Sequence, residues 1–289
     1  PAPDVAAAFR AIASRPRVVL FDSALRHGEL GRYSFLMADP FDYLELHGEI
    51  QDPLAEIQRR HGRYRSAHVD GLPPFQGGAA GVLSYELGRC YENVPAAKHD
   101  EFQLPLAAIG WYDVTLAWDH REGRAWIISH GWPQHDATAR AQRAAARADE
   151  IESWLANPSS TSQTSTSLRI IPPTALAPQC DPGRMPKLTS NFSPESYLDA
   201  ARQAIEFIHA GDVFQVNLAQ RLLYPDDGDP VGLYLRLRTK NPATFAGYFT
   251  GSDFVVASAS PERFVRVQQG QVETRPIKGT RQRNRLPEA

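Results

Sequence analysis

One stretch limits the architecture open to this chain more than any other. From Asn157 to Leu188 the apolar periodicity stops. Ser159 to Ser167 holds only Ser, Thr and a single Gln, and prolines flank and follow it, Pro172 and Pro173 among them. Such a segment has too little apolar surface to offset the entropy of ordering it. It reads as a tether, flexible first and extended after. It divides the 289 residues into an N-terminal domain over 1–156, a linker over 157–190 and a further region over 191–289.

Composition narrows the partners. A net charge of −2, with 42% hydrophobic and 22% charged residues, is ordinary for a soluble domain. It gives no field to attract nucleic acid or a membrane surface. No apolar run approaches the ~20 residues of a membrane span. Residues 1–10 lack the apolar core of a signal peptide, and the absence of Met at the start leads us to expect a trimmed N-terminus. Cys90 and Cys180 have no metal-like spacing, which points to a reducing, cytoplasmic setting. The histidines are scattered, without His-Glu-x-x-His or Cys-x-x-Cys, and no metal site is predicted.

Before the linker, short apolar runs are closed by turn residues, the pattern of strands. Arg17–Phe21, Arg32–Met37 and Tyr43–Leu46 are predicted strands. Asp52 is placed to cap a helix that starts at Pro53 and runs through Arg60, because Asp accepts from free first-turn amides and Pro needs no partner there. Gly77–Leu83 is small and apolar, suited to a strand lying close to another backbone. Leu106–Trp118 and Ala125–Ser129, either side of His120–Gly123, predict a hairpin of two long strands. Asp136–Ala156 predicts a surface helix with a narrow buried stripe at Ile151, Trp154 and Leu155.

After the linker, Ser193-Pro194-Glu195 opens a helix with Tyr197, Ala201, Ala204, Ile205 and Ile208 on one face and Gly211 as its stop. Val213–Leu223 alternates as a strand does. Asp229-Pro230 opens a helix through Arg238, and Phe245–Phe249, Phe254–Ser258, Phe264–Val267 and Val272–Ile277 are four more strands. The expected class is α+β: a largely antiparallel β-sandwich with flanking helices.

Four segments bear on chemistry. In Thr274-Arg275-Pro276-Ile277-Lys278-Gly279-Thr280 a strand ends in Pro, Lys and Gly, which aims one lysine rigidly. Lys is a nucleophile only when neutral, and burial or nearby cations would lower its pKa. Arg275 supplies such a cation only if the strand breaks at Pro276. A surface lysine in a loop fits the same pattern. In Ser258-Ala259-Ser260-Pro261-Glu262-Arg263-Phe264, Glu262 could act as general acid or base if two antiparallel strands bring it to Lys278. A turn glutamate paired with Arg263 is the alternative. In Gly211–Arg221, Gln215, Asn217 and Ala219 share a strand face, and the amides there are held by backbone or hold a ligand. The glycines of Pro74–Arg89 lack any phosphate-loop spacing and read as tight strand packing.

Taken in order and spacing, these four segments resemble the chorismate-utilising enzymes that include anthranilate synthase component I, and more narrowly the aminodeoxychorismate synthase component I branch. The resemblance covers essentially the whole chain, least in the linker. It implies an anthranilate synthase component I-like fold, with 1–156 the N-terminal domain and 191–289 the first part of a chorismate-binding domain incomplete at its C-terminal end. It implies Lys278 as covalent nucleophile, where anthranilate synthases carry Ala, and Glu262 as general acid/base. Arg275, Gly279 and Thr280 would then contact substrate. It also implies a separate glutamine amidotransferase subunit, since no amidotransferase nucleophile occurs here, and Mg2+ whose ligands are expected beyond residue 289. A chain ending here is therefore expected to be inactive alone. Near the start, Phe21-Asp22-Ser23 and Gly31-Arg32-Tyr33-Ser34 resemble the family's amino-acid pocket, so Ser23, Arg32, Tyr33, Thr244 and Phe245 would line a tryptophan site. Thr244 stands where relatives often have Pro, and ordinary sandwich packing accounts for the same aromatics. Two other readings are anthranilate synthase component I itself, and a non-catalytic fragment that binds tryptophan or a partner.

Overall fold

The computed structural model describes residues 3–26, 30–158, 166–183, 185–226 and 228–277. Along the chain run α1 (Val5–Ile12), β1 (Val19–Asp22), β2 (Tyr33–Met37), β3 (Asp42–Leu46), α2 (Pro53–His61), β4 (Gly78–Leu83), β5 (Ala107–Tyr112), β6 (Val114–Asp119), β7 (Arg124–Ser129) and α3 (Ala137–Ala156). There follow β8 (Thr189–Ser190), α4 (Pro194–Ala210), β9 (Leu222–Leu223), α5 (Pro230–Lys240), β10 (Phe245–Thr250), β11 (Val255–Ser260), β12 (Arg266–Gln268) and β13 (Gln271–Glu273). Helices with antiparallel sheets make the fold α+β, as expected.

Contacts group the chain into two units: Pro1–Tyr91 with Pro105–Leu168 and Pro230–Ala289, and Glu92–Leu104 with Arg169–Asp229. These do not coincide with 1–156 and 191–289, because α5, β10 and β11 belong with the N-terminal strands. In the first unit the strands form a six-stranded sheet in the order β11-β10-β1-β2-β6-β7, a three-stranded sheet β3-β5-β4 and the two-stranded hairpin β12-β13. Alternation along the strands sorts their side chains to two faces. Leu20, Leu36, Leu116, Trp118 and Tyr248 meet α1, α3 and α5 through Phe9, Ile151, Trp154 and Tyr234. Val19, Met37 and Phe249 point the other way, onto Ala80, Ala108 and Tyr112 of the smaller sheet. The outer face of that sheet packs Trp111, Leu44 and Ile109 against Ile57 of α2 and Tyr64. The layers are thus helices, sheet, sheet, helix.

Local signals explain the elements. Asp52 and Asp136 each accept from the third backbone amide of their helix, at 3.0 and 2.9 Å. Asp4 does the same for α1 at 3.0 Å, with Val5, Ala8, Phe9 and Ile12 buried at helical spacing; this helix was not expected. Gly81 lies so close to β5 that a Cβ there would stand 2.0 Å from the Ala108 carbonyl oxygen, the close approach its strand was expected to make.

Three expectations are corrected. Leu106–Trp118 is two strands rather than one: β5 pairs in the small sheet, β6 in the large one, and the chain changes sheet at Asp113. The Asp113 carboxylate is sealed from solvent and faces Arg143 at 3.2 Å and Arg147 at 3.3 Å on α3. Arg147, not expected inside, is buried with it. Second, α4 forms between a Ser193 cap and Gly211 at φ +84°, yet no residue of it is buried. Third, Val213–Arg221 is not a strand; only Leu222–Leu223 pairs, with Thr189–Ser190. Alternation makes a strand possible, but a strand exists only where a neighbour accepts its hydrogen bonds.

Candidate functional site

Where β1 ends, β2 begins and β10 begins, the six-stranded sheet leaves a cavity of about 530 Å³. The register sets this mouth: Asp22 pairs with Ala246 across β10, and Phe21 with Phe35 across β2. Ser23, Arg32, Tyr33, Thr244 and Phe245 all line it, with Phe21, Phe35, Arg263 and Arg266. The structure therefore gathers around one cavity five residues that the sequence spreads over more than two hundred positions.

Each is held by identifiable contacts. The Ser23 amide donates to Ser34 Oγ at 3.0 Å, and Ser23 Oγ donates to the Tyr33 carbonyl at 2.6 Å and the Thr244 carbonyl at 3.5 Å. Ser23 thus ties the end of β1 to β2 and to the approach of β10. Arg32 donates to both oxygens of Asp119, at 3.1, 3.0 and 2.6 Å, and its guanidinium lies 4.9 Å from the Tyr33 ring centre. The hydrogen bond that Arg32 donates to Asp119 leads the interactions that raise the Arg32 pKa. Arg32 is committed to Asp119 and acts on the cavity mainly by fixing the Tyr33 ring. Arg263 pairs with Glu273 at 2.6 Å. Aromatic walls, a small hydroxyl and cations at the rim suit a small amphipathic molecule with an apolar ring and an anionic end.

Beneath the cavity lies a polar network that sequence reasoning missed. Asp22, with its side chain fully buried, accepts from Arg238 Nε at 2.5 Å, Tyr234 OH at 3.1 Å and Ser34 Oγ at 3.3 Å. His120 Nε2 lies 2.8 Å from the same Ser34 hydroxyl, and burial lowers its pKa. The sequence places Asp22 just past a strand ending at Phe21, whereas Asp22 is the last residue of β1; its partners on α5, more than two hundred residues away, have no local signal.

The strand-end segment borders this cavity. Thr244 Oγ1 donates to the Pro261 carbonyl at 3.2 Å, and Phe245 pairs with Ser260. Just past β11, Glu262 is half-buried. Its amide donates to Ser260 Oγ at 3.3 Å, and that hydroxyl donates to the Glu262 carbonyl at 3.1 Å, clipping the turn. The alternative pairing with Arg263 is not formed, since Arg263 is taken by Glu273. Arg275 follows β13, with Nε against Glu273. Lys278, Gly279 and Thr280 lie outside the described residues. The amides of Gln215 and Asn217 are exposed and bond to each other at 3.2 Å. Among the described residues no group of three or more His, Cys, Asp or Glu could hold a metal ion, and no helix is long and apolar enough to cross a membrane.

Comparison with known proteins adds the following. The family model for chorismate binding enzyme matches residues 20–289. Aminodeoxychorismate synthase component 1 of Klebsiella aerogenes is 30% identical, over 97% of this chain and 58% of its own length. Anthranilate synthase component 1 of Thermus thermophilus is 34% identical, over 82% of this chain and 46% of its own. The crystal structure of anthranilate synthase component I from Streptococcus pneumoniae superposes with a TM-score of 0.63 at 22% identity, over 86% of this chain and 54% of that one; this likeness bears on fold alone. The chain spans about half the length of the curated relatives it matches.

Proposed function

The chain belongs to the chorismate binding enzyme family, and from that membership we propose that it serves as component I of an aminodeoxychorismate synthase, aminating chorismate to 4-amino-4-deoxychorismate on the way to 4-aminobenzoate and folate. The observation that carries the finer reading is Lys278 in Pro276-Ile277-Lys278-Gly279-Thr280, at the position where the resembling anthranilate synthases carry Ala.

The chemistry asks for a neutral amine beside a proton donor. Lys278 Nζ forms a bond to the chorismate ring as the ring C–O bond breaks, and Glu262 gives the departing hydroxyl its proton, so that it leaves as water. Ammonia then bonds to the carbon that lost the hydroxyl, the bond to Nζ breaks, and the lysine returns to its starting state. Two easier displacements replace one difficult one. The placement of Glu262 supports this role, because its neighbours leave the carboxylate unpaired with Arg263. The β12–β13 hairpin supports it too. Arg266 pairs with Glu273, and the same register carried on would set Ile277 opposite Glu262, next to Lys278. Arg275, Gly279 and Thr280 would face the substrate carboxylates. Magnesium, which the resemblance implies, finds no holder among the described residues, and no step is routed through it.

Ammonia would come from a glutamine amidotransferase subunit, and the cavity at Ser23 would take tryptophan. The free thiols Cys90 and Cys180 suit the cytoplasm. The rival reading is anthranilate synthase, which the 34% identity to the Thermus protein favours. Product analysis by mass spectrometry, with chorismate, ammonium and magnesium and the complete polypeptide, separates them. Aminodeoxychorismate from the native chain and its loss in Lys278→Ala support the proposal. Anthranilate from the native chain refutes it.

A further inference from the structure

Glu262 lies on a turn just past β11, the edge strand of the six-stranded sheet. A proton donor works only where its backbone holds it, since a misplacement of ~1 Å can cost about a hundredfold in rate. The turn is clipped by Ser260, whose Oγ accepts from the Glu262 amide at 3.3 Å and donates to the Glu262 carbonyl at 3.1 Å. Ser260 is the last paired residue of β11, opposite Phe245, so this clip reaches the sheet only through the edge strand that it ends. A second hold comes from the start of β10. Thr244 Oγ1 donates to the Pro261 carbonyl at 3.2 Å. That carbonyl and the Glu262 amide belong to one peptide unit, which is planar. Ser260 holds its amide side and Thr244 its carbonyl side, so the plane cannot turn. The Pro261 ring fixes φ just before it.

Thr244 is itself anchored. It is buried. Just past β1, Ser23 Oγ donates to the Thr244 carbonyl at 3.5 Å and the Leu25 amide to the Ala243 carbonyl at 3.0 Å. A β-branched side chain has few χ1 choices, so the direction of the hydroxyl follows from this backbone. Among the described residues, no other hydrogen bond ties residues 261 and 262 to a strand other than β11. We propose that Thr244 is a positioning residue for the reaction, resting on Glu262 as its proton donor: the Thr244 hydroxyl fixes the Pro261–Glu262 peptide to the start of β10, and so sets where Glu262 delivers its proton to the departing hydroxyl. Thr244 needs no contact with chorismate for this. Without the hydroxyl the carboxylate is still present, but its backbone is held by Ser260 alone. Pro261 is exposed, so water takes the lost donor's place and the effect falls on rate rather than on folding.

Thr244→Val, which keeps the shape and removes the hydroxyl, tests this in the complete polypeptide with chorismate, ammonium and magnesium. Consumption of chorismate is followed, whichever product forms. kcat should fall about tenfold, the scale of one neutral hydrogen bond, with KM within about twofold, the mark of an interaction made in the transition state. A badly aimed donor slows proton transfer, so the solvent deuterium isotope effect on kcat should rise. Partial unfolding lowers kcat by removing active molecules and leaves that isotope effect as it was. Thr244→Ser returns the hydroxyl and should bring kcat and the isotope effect most of the way back. Thr244→Ala takes the place of the valine variant if that one does not fold. The proposal is overturned if kcat is unchanged, if KM alone rises, if kcat falls while the isotope effect stays native, or if serine rescues neither. Glu262→Gln as fast as the native polypeptide, or a native polypeptide that consumes no chorismate, overturns it together with the proposed function. Anthranilate as the native product refutes the proposed function alone, and the kcat and isotope results still decide the role of Thr244.

Discussion

Asp22 is the place where one atom group decides both the join between distant segments and the floor of the proposed amino-acid pocket. Its buried carboxylate takes Arg238 at 2.5 Å and Tyr234 at 3.1 Å from α5, and Ser34 at 3.3 Å from β2. Asp22→Ala leaves a guanidinium, a phenol and a hydroxyl facing an empty space. Removing one partner of a buried pair costs about 3–5 kcal/mol, because the remaining charge has lost both water and its counterion. Arg238 is 21% exposed and recovers some water, which puts the cost at the lower end; the fully buried Tyr234 hydroxyl adds to it. Arg238→Met should cost a similar amount by stranding Asp22. The double variant should lose clearly less than both together, by about 2 kcal/mol. Urea unfolding followed by the fluorescence of buried Trp118 and Trp154 measures all three. If Asp22→Ala stays within about 1 kcal/mol of the native chain, or the two substitutions add, the network is not what fastens α5 to the sheet.

Three further outcomes are expected. Gly81→Ala should lower stability by about 3 kcal/mol or more in thermal melts, since the new Cβ would meet the Ala108 backbone at 2.0 Å and backbone cannot step aside as a side chain can; an unchanged melting temperature contradicts the close approach. Burial lowers the pKa values of His120 and His130, so between those values and about 6.5 the unfolded chain binds more protons than the folded one. Stability should therefore rise with pH up to about 6.5 and then level off, and His120→Gln and His130→Gln should each flatten that slope in urea titrations run from pH 5 to 8. Ser23→Ala removes the hydroxyl that bridges the Tyr33 and Thr244 carbonyls and should cost about 1 kcal/mol together with any tryptophan affinity seen by calorimetry; a variant that binds tryptophan as before shows that Ser23 is not part of such a pocket.

What could be seen in the sequence followed from how local each cause is. Asp52, Asp136 and Ser193 announce helices because a cap and its amides lie within three residues. β1, β2, β3, β10 and β11 announce themselves by β-branched and aromatic runs between turn residues. Leu106–Trp118 misled because periodicity cannot tell one strand from two in different sheets. The signal was there in a single residue: Asp113 is the one charge in that run, and a buried carboxylate needs the cations that Arg143 and Arg147 bring from α3. Val213–Arg221 and the apolar face of α4 misled for the converse reason. Their patterns state what a neighbour would find, not whether a neighbour is present, and no local rule supplies one.

The same distinction separates the two halves of the functional reading. The pocket residues Ser23, Arg32, Tyr33, Thr244 and Phe245 came from resemblance, since nothing local ties position 23 to position 245; what brings them together is the antiparallel pairing of β1 with β10, Asp22 opposite Ala246. Once that register is fixed, the next strand follows. β11 pairs Ser260 with Phe245, so the turn that carries Glu262 must start at the rim of the pocket, and Thr244 Oγ1 closes the join onto Pro261. Two motifs that look unrelated in the sequence are thus neighbours for a topological reason. A substitution that slipped β10 by one residue would turn Phe245 away from the cavity and displace Glu262 in the same move.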